Sequence, residues 1–160
     1  DLFRYAVLYV HGGVYMDIKI KLVRPLEEVV DLSRNAIYTT LSVHGGTLFQ
    51  ALIAAPPRQP FFLRLMEYVR HNWAKAASHY FVFTEDMYNK IQEDVQEETQ
   101  LAEGEYTSTS DPSLAYVLMQ EECFHGEAQC FMPLDRHGRC CRVTSNGRVQ
   151  FVSRYHDYPW

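Results

Sequence analysis

Two periods of hydrophobic residues run through this chain. From Val14 to Leu22 the apolar residues Val14, Met16, Ile18, Ile20 and Leu22 alternate with Tyr15, Asp17, Lys19 and Lys21. A period of two predicts a strand with one buried face. Before it, LFRYAVLYV reads as a helix capped by Asp1, with Leu2, Ala6 and Tyr9 near one face and Gly12-Gly13 as its stop. Arg24-Pro25 closes the strand, Leu26 to Leu32 predicts a short acidic helix or turn, and Ala36 to Thr40 predicts a second strand. After His44-Gly45-Gly46, the run LFQALIAA predicts a helix, which the prolines between Pro56 and Pro60 must break.

The second half is richer in helical spacing. Phe62, Leu65, Met66, Val69, Trp73 and Ala76 recur by three and four, the clearest amphipathic helix, with Trp73 assigned to the core. YFVF at Tyr80 to Phe83 predicts a short buried strand, and Thr84 caps a helix to about Glu98 through Met87, Tyr88, Ile91 and Val95. AEGEYTSTSD predicts a loop, and Asp111-Pro112-Ser113 the start of one more helix through about Glu122. DRHG marks a turn, and SNGR separates CCRVT from RVQFV as a β-hairpin. The sum is an α/β fold: a mixed sheet with flanking helices and a C-terminal β-hairpin.

Composition narrows the function. The 160 residues, 47% hydrophobic and 14% aromatic, suit a single domain with a sizeable core. A net charge of -5 argues against the broad basic face of a nucleic-acid binder. No stretch reaches the roughly 18 to 20 apolar residues of a membrane span. The chain starts with Asp, already in a helix, so a fragment of a longer protein is expected, and an upstream part has room for a membrane anchor. Cys123, Cys130, Cys140 and Cys141 form no CxxC pair, which argues against a zinc ribbon and leaves disulfides or reduced thiols.

The strand face from Tyr15 to Lys21 is the first candidate for chemistry. Residues two apart project on the same side, so Asp17 and Lys19 face one ligand. Two carboxylates there would share a divalent ion, because Mg and Mn take oxygen ligands. A charged lysine has no acceptor lone pair but meets phosphate directly. The strand is therefore a metal site with one ligand removed, an anion site, or a solvated face of paired charges.

The block DLFRYAVLYVHGGVYMDIKIKLVRPLEE resembles the glycosyltransferases with a DXD sugar-binding region, a group that includes initiation-specific and inositolphosphoceramide mannosyltransferases. Asp1, Arg4, Tyr5, Gly12, Gly13, Tyr15 and Asp17 follow its pattern in order and spacing, while Lys19 stands where the second Asp belongs. FQALIAAPPRQPFFLRLMEYV resembles the family's second block more loosely. The resemblance implies a GT-A type, Rossmann-related sheet with further strands upstream of Asp1. It implies transfer of a hexosyl unit from a nucleotide-sugar such as GDP-mannose or a UDP-sugar, with retention of configuration, to a glycan, lipid or protein acceptor. It places the protein in the Golgi lumen.

In that resemblance the donor is bound by Asp1, Arg4, Tyr15, Asp17 and Lys19, with His44 and Gln50 offering contacts to hydroxyl groups. Asp17 and Lys19 carry the catalytic role, and Asp17 is the candidate metal ligand. With Lys19 in place of the second carboxylate, Mn or Mg must find other ligands, or Lys19, with Lys21 or Arg24, supplies the positive charge itself. His156, in RYHDYPW, is a further candidate for closing over a diphosphate. Two other readings stand beside transfer: a catalytically silent relative that binds a glycan or protein partner, and a disulfide-stabilised α/β interaction module.

Overall fold

The computed structural model describes residues 2–79, 81–125 and 139–153. Helix α1 (Leu2–His11) ends at Gly12, whose N–H bonds the Leu8 carbonyl at 2.8 Å with φ at 63°. A Cβ on Gly12 would stand 2.5 Å from the Pro57 nitrogen, so this position needs glycine for space as well as for handedness. Tyr5 and Leu8 are the buried residues of α1, while Leu2, expected on the core face, is exposed. The capping role read for Asp1 lies outside the described residues.

The strand predicted over Val14 to Leu22 is two strands. β1 (Gly13–Met16) and β2 (Ile20–Leu22) are separated by a turn in which the Ile20 N–H reaches the Asp17 carbonyl at 3.2 Å. The alternation survives the turn except at Ile18, which is 91% exposed. After β2 come α2 (Leu26–Val29), β3 (Ala36–Leu41), β4 (Leu52–Ala55), α3 (Pro60–His71), α4 (Trp73–Ser78) and α5 (Val82–Val95). β5 (Gly104–Thr107), β6 (Ala115–His125), β7 (Arg139–Ser145) and β8 (Arg148–Ser153) complete the order.

Among the described residues, eight strands form one mixed sheet in the order β1-β4-β3-β6-β7-β8-β2, with β5 pairing β6 beside this path. β3 and β6 run parallel from Ala36↔Ala115 to Leu41↔Gln120, and the other pairings are antiparallel. The edges of that path are β1 and β2, joined by only three residues, 17–19. Seven flat strands would hold their outer members about 29 Å apart. A three-residue link spans less than about 14 Å. The sheet therefore curls until its edges nearly meet, and it is almost a barrel.

The two faces of this sheet hold separate apolar clusters. Toward the helices, Tyr5 and Leu8 of α1, Phe61, Phe62 and Leu65 of α3, and Met87, Tyr88 and Ile91 of α5 pack on Ile37, Ile53, Tyr116 and Leu118. On the concave face, Tyr38, Leu52, Ala54, Met119, Val143 and Phe151 pack together, with Val14 and Met16 of β1 and Ile20 and Leu22 of β2 against them. Both edge strands thus feed the same inner cluster, as a curled sheet requires.

Several expectations fail for local reasons. LFQALIAA is not helical: Leu48 bridges Leu41 and residues 52–55 form β4, buried along its length. A short apolar run buried on both faces has no period that separates strand from helix. The same cause makes β6 a strand where a helix was expected, since Tyr116 and Leu118 face the helices while Met119 faces inward. β5 pairs β6 inside the segment predicted as a loop. YFVF is not a strand, because α5 already starts at Val82; Tyr80 lies outside the described residues. The long amphipathic helix breaks at Asn72, which leaves Trp73 70% exposed instead of in the core.

Other expectations hold. α2, β3 and the stripe Met87, Tyr88 and Ile91 lie where the pattern puts them. The β7–β8 hairpin turns through Asn146 and Gly147, with φ of 52° and 69°, a two-residue turn with both centres left-handed. Cys123 and Cys141, directly opposite on β6 and β7, form a disulfide. The DRHG turn, Cys130 and His156 lie outside the described residues.

Candidate functional site

The corner where α1, β1 and the approach to β4 meet gathers most of the residues singled out in the sequence. Arg4, one turn into α1, is half-buried and donates from Nη1 to the Gln50 carbonyl at 2.9 Å. Its guanidinium carbon lies 4.6 Å from the centre of the Tyr15 ring. A cation stacked on an aromatic face and hydrogen-bonded at its end is held in one orientation. Tyr15 in turn donates its hydroxyl to Asp17 Oδ1 at 2.5 Å. Partial burial, then the hydrogen bond and charge of Asp17, raise the Tyr15 pKa, so the phenol stays a donor at neutral pH.

Asp17 is placed by the main chain as well. Its N–H donates to the Ala51 carbonyl at 2.8 Å, continuing the β1–β4 ladder one residue beyond the strand. The carboxylate thereby stands at the mouth of the turn that joins the sheet edges, with exposed Ile18 and half-buried Lys19 following it. Arg4, Tyr15 and Asp17 form one linked set, anchored on the backbone of residues 50–51. Asp1, proposed beside them from the sequence, lies outside the described residues.

Gln50 and His44 take other positions. The Gln50 side chain is buried in the helix-side core, where Nε2 donates to the Tyr5 hydroxyl at 2.5 Å and the Phe83 carbonyl at 3.2 Å. Among the described residues its Oε1 has no hydrogen-bond partner. Tyr5 donates to the same Phe83 carbonyl at 3.2 Å, and burial holds its phenol far above the usual range. Gln50 thus reaches the corner through its carbonyl, while its side chain ties α1 to α5. His44 is exposed in the β3–β4 connection, with its ring 6.0 Å from that of Phe81.

Sequence reasoning missed two buried carboxylates outside this corner. Asp86, on the buried side of α5, has its pKa pushed up to about 6 by burial, against the pull of Lys90 and Lys75 and with a small push from Glu93. Glu121, on β6, is 5% exposed and accepts from the Val43 N–H and Ser42 Oγ, each at 3.2 Å. Burial raises its pKa. Neither had a signal in the sequence, because each lies inside an element whose face was settled only by the fold.

As a metal centre the described residues fit poorly. The one group of three potential ligands within 4.8 Å among them is Glu121, Cys123 and Cys141, and both sulfurs are spent in the disulfide. At Asp17 no second carboxylate, imidazole or thiolate completes such a set among the described residues. Lys19, two residues on, offers only donors.

Among the described residues, no helix is long and apolar enough to cross a membrane. No curated protein and no solved structure matches this chain. Residues 1–38 do match a family model, the glycosyltransferase sugar-binding region containing DXD motif, and the matched segment takes in Arg4, Tyr15, Asp17 and Lys19 but neither His44 nor Gln50. The linked corner therefore lies within the segment that is similar to this glycosyltransferase family model.

Proposed function

We propose that this domain transfers a hexosyl unit from a nucleotide-sugar donor, and that the donor sits on the corner formed by Arg4, Tyr15, Asp17 and Lys19. The observation that carries the reading is the convergence of Arg4, Tyr15 and Asp17 from a helix, a strand and a turn into one linked set within the matched segment. Asp17, fixed by the Tyr15 hydroxyl, accepts hydrogen bonds from sugar or ribose hydroxyls. Arg4 reaches donor oxygens with a guanidinium already oriented.

During transfer the bond between the anomeric carbon and the phosphate oxygen breaks, and the departing diphosphate gains negative charge. The acceptor oxygen bonds the anomeric carbon from the same face, which retains configuration, and its proton passes to the departing phosphate. Lys19 supplies positive charge to that phosphate directly. No step is routed through a divalent ion, since the described ligands do not complete a site for one. The Cys123–Cys141 disulfide fits an oxidising compartment such as the Golgi lumen. In this reading the curled mixed sheet is a variant of the GT-A type nucleotide-binding sheet.

Titration of UDP-glucose and GDP-mannose by calorimetry tests the reading. Asp17→Ala and Lys19→Ala should each weaken the bound donor at least about tenfold, as expected for losing a hydrogen bond to a charged group. Donor affinity unchanged by Asp17→Ala would overturn the site. Turnover abolished by EDTA and restored by Mn would overturn the direct role of Lys19. One observation favours a second reading, a relative that binds donor without transfer: the lysine in the second acidic position. Tight donor binding with neither transfer nor donor hydrolysis would establish it.

A further inference from the structure

A pocket of about 480 Å³ opens at the C-terminal end of β3, lined among others by Ser42, Thr47, Tyr88, Gln100, Gln120 and Glu121. That volume lies in the range of small-molecule sites. Its position is fixed relative to the donor corner. Asp17 stands beside Ala51, Phe49 bonds Thr40 across the next pair, and Leu41 pairs with both Leu48 and Gln120. The corner and the pocket therefore share one end of the sheet, three strand spacings or roughly 14 Å apart.

The chemistry of the pocket is that of a polyol site. Glu121 Oε2 takes both the Val43 N–H and Ser42 Oγ, so the carboxylate is pinned, and among the described residues no hydrogen bond ends on Oε1. A pinned carboxylate with one oxygen unused is a fixed acceptor for a hydroxyl group. The Gln100 amide lies across Gly45, where a Cβ would come within 2.9 Å of Nε2, and it adds donor and acceptor capacity. Leu41 and Leu101 supply apolar surface in the same pocket. Hydroxyls that both donate and accept, over C–H faces that pack on apolar side chains, match this lining. A bare cation does not, because Glu121 is the single carboxylate among the described residues of this lining and a hard cation takes several oxygen ligands.

Resting on the transferase reading, we infer that this pocket is a remote acceptor subsite that binds a sugar unit of an oligosaccharide, with Glu121 as the residue that holds its hydroxyls. At three strand spacings from Asp17 the bound unit is not the one that reacts. It selects an extended acceptor over a single sugar.

The test is an NMR titration of the whole ¹⁵N-labelled chain with mannotriose, lactose and methyl α-mannoside, and separately with GDP-mannose and UDP-glucose. A trisaccharide or disaccharide should shift the amides of residues 42–47, 101–102 and 120–121 saturably, more tightly than the monosaccharide. Glu121→Gln should weaken it about fivefold or more, because a neutral amide oxygen accepts a hydrogen bond less strongly than a carboxylate does. Gln100→Ala, at an exposed side chain, gives the same reading if Glu121→Gln does not fold. Absence of saturable shifts there with any of the three sugars, or affinity unmoved by either substitution, overturns the inference. If nucleotide-sugars still shift Arg4 to Asp17 in that case, the donor reading stands alone. If the oligosaccharide binds the pocket while no nucleotide-sugar binds, the donor reading falls and the pocket is a glycan site in its own right.

Discussion

The helix-side cluster and the concave cluster are both apolar and both buried, yet they are held closed by different means. On the helix side, large aromatic rings interlock: Phe61 meets Phe62 and Tyr116 edge-on at 5.7 Å and 5.5 Å, and Tyr5 lies 6.1 Å from Phe62. Each helix brings its own rings, so this cluster is secured by side-chain volume. On the concave side, Phe151 and Tyr38 are the buried rings, and the remaining surface comes from strands bent toward one another together with Val29 of α2 and Val30 just after it. That face is secured by chain connectivity: the three-residue link between β1 and β2 and the Cys123–Cys141 bond between β6 and β7. The corner proposed for the donor draws on both, since Arg4 and Tyr15 belong to the helix side and Asp17 begins the link.

If volume secures the helix side, Phe62→Ala should be among the costliest single changes, about 3 to 5 kcal/mol by chemical denaturation. Met119→Ala on the concave face should cost less, about 2 to 3 kcal/mol; equal or greater loss there would erase the contrast. Replacing Cys123 and Cys141 together by alanine should cost about 2 to 3 kcal/mol through loop entropy, a separation of 18 residues being released. A loss near zero would mean that the concave face needs no covalent tie.

Asp86 makes a finer probe of the helix side. Its carboxyl, at about 6, binds a proton more tightly in the folded chain than in the unfolded one. Stability from this group is thus greatest at low pH, falls as pH rises from about 4 to about 6, and stays flat above that range. Asp86→Asn should remove that slope and stabilise the protein at pH 7 by about 1 to 2 kcal/mol, less than the full shift because the site retains some contact with water. Thermal melts of both proteins from pH 4 to pH 8 decide it. The smallest effect belongs to Trp73→Ala: at 70% exposure the ring should matter by no more than about 0.5 kcal/mol, although its spacing marked it as core.

The sequence made some of this legible and hid the rest for identifiable reasons. β3, the apolar stripe of α5 and the Asn146-Gly147 hairpin follow from local rules that no distant partner overrides, whereas Thr84, read as the cap of α5, lies inside a helix that starts at Val82. β4 and β6 do not, because strands covered on both faces lose the alternation that distinguishes a strand, and nothing local reports that coverage. The corner was half legible. Arg4, Tyr15 and Asp17 were found through spacing and resemblance, but the alternation that found them also predicted a continuous strand. That strand would have set Asp17 and Lys19 on one flat face, whereas they occupy a turn. Glu121 and Asp86 became visible only when the fold buried them, since a glutamate beside a second glutamate and an aspartate beside Met87 look like surface residues in a line of letters.

The turn at residues 17–19 is a clasp as well as a candidate site. A ligand that grips Asp17 and Lys19 favours the form of the protein in which the two sheet edges are fastened, so its binding free energy is added to their closure. Occupancy at this corner is then felt on the far side of the sheet, where the amides of Ile20 to Leu22 pair with β8. Slower hydrogen exchange in that strand would report a bound donor without any probe touching it.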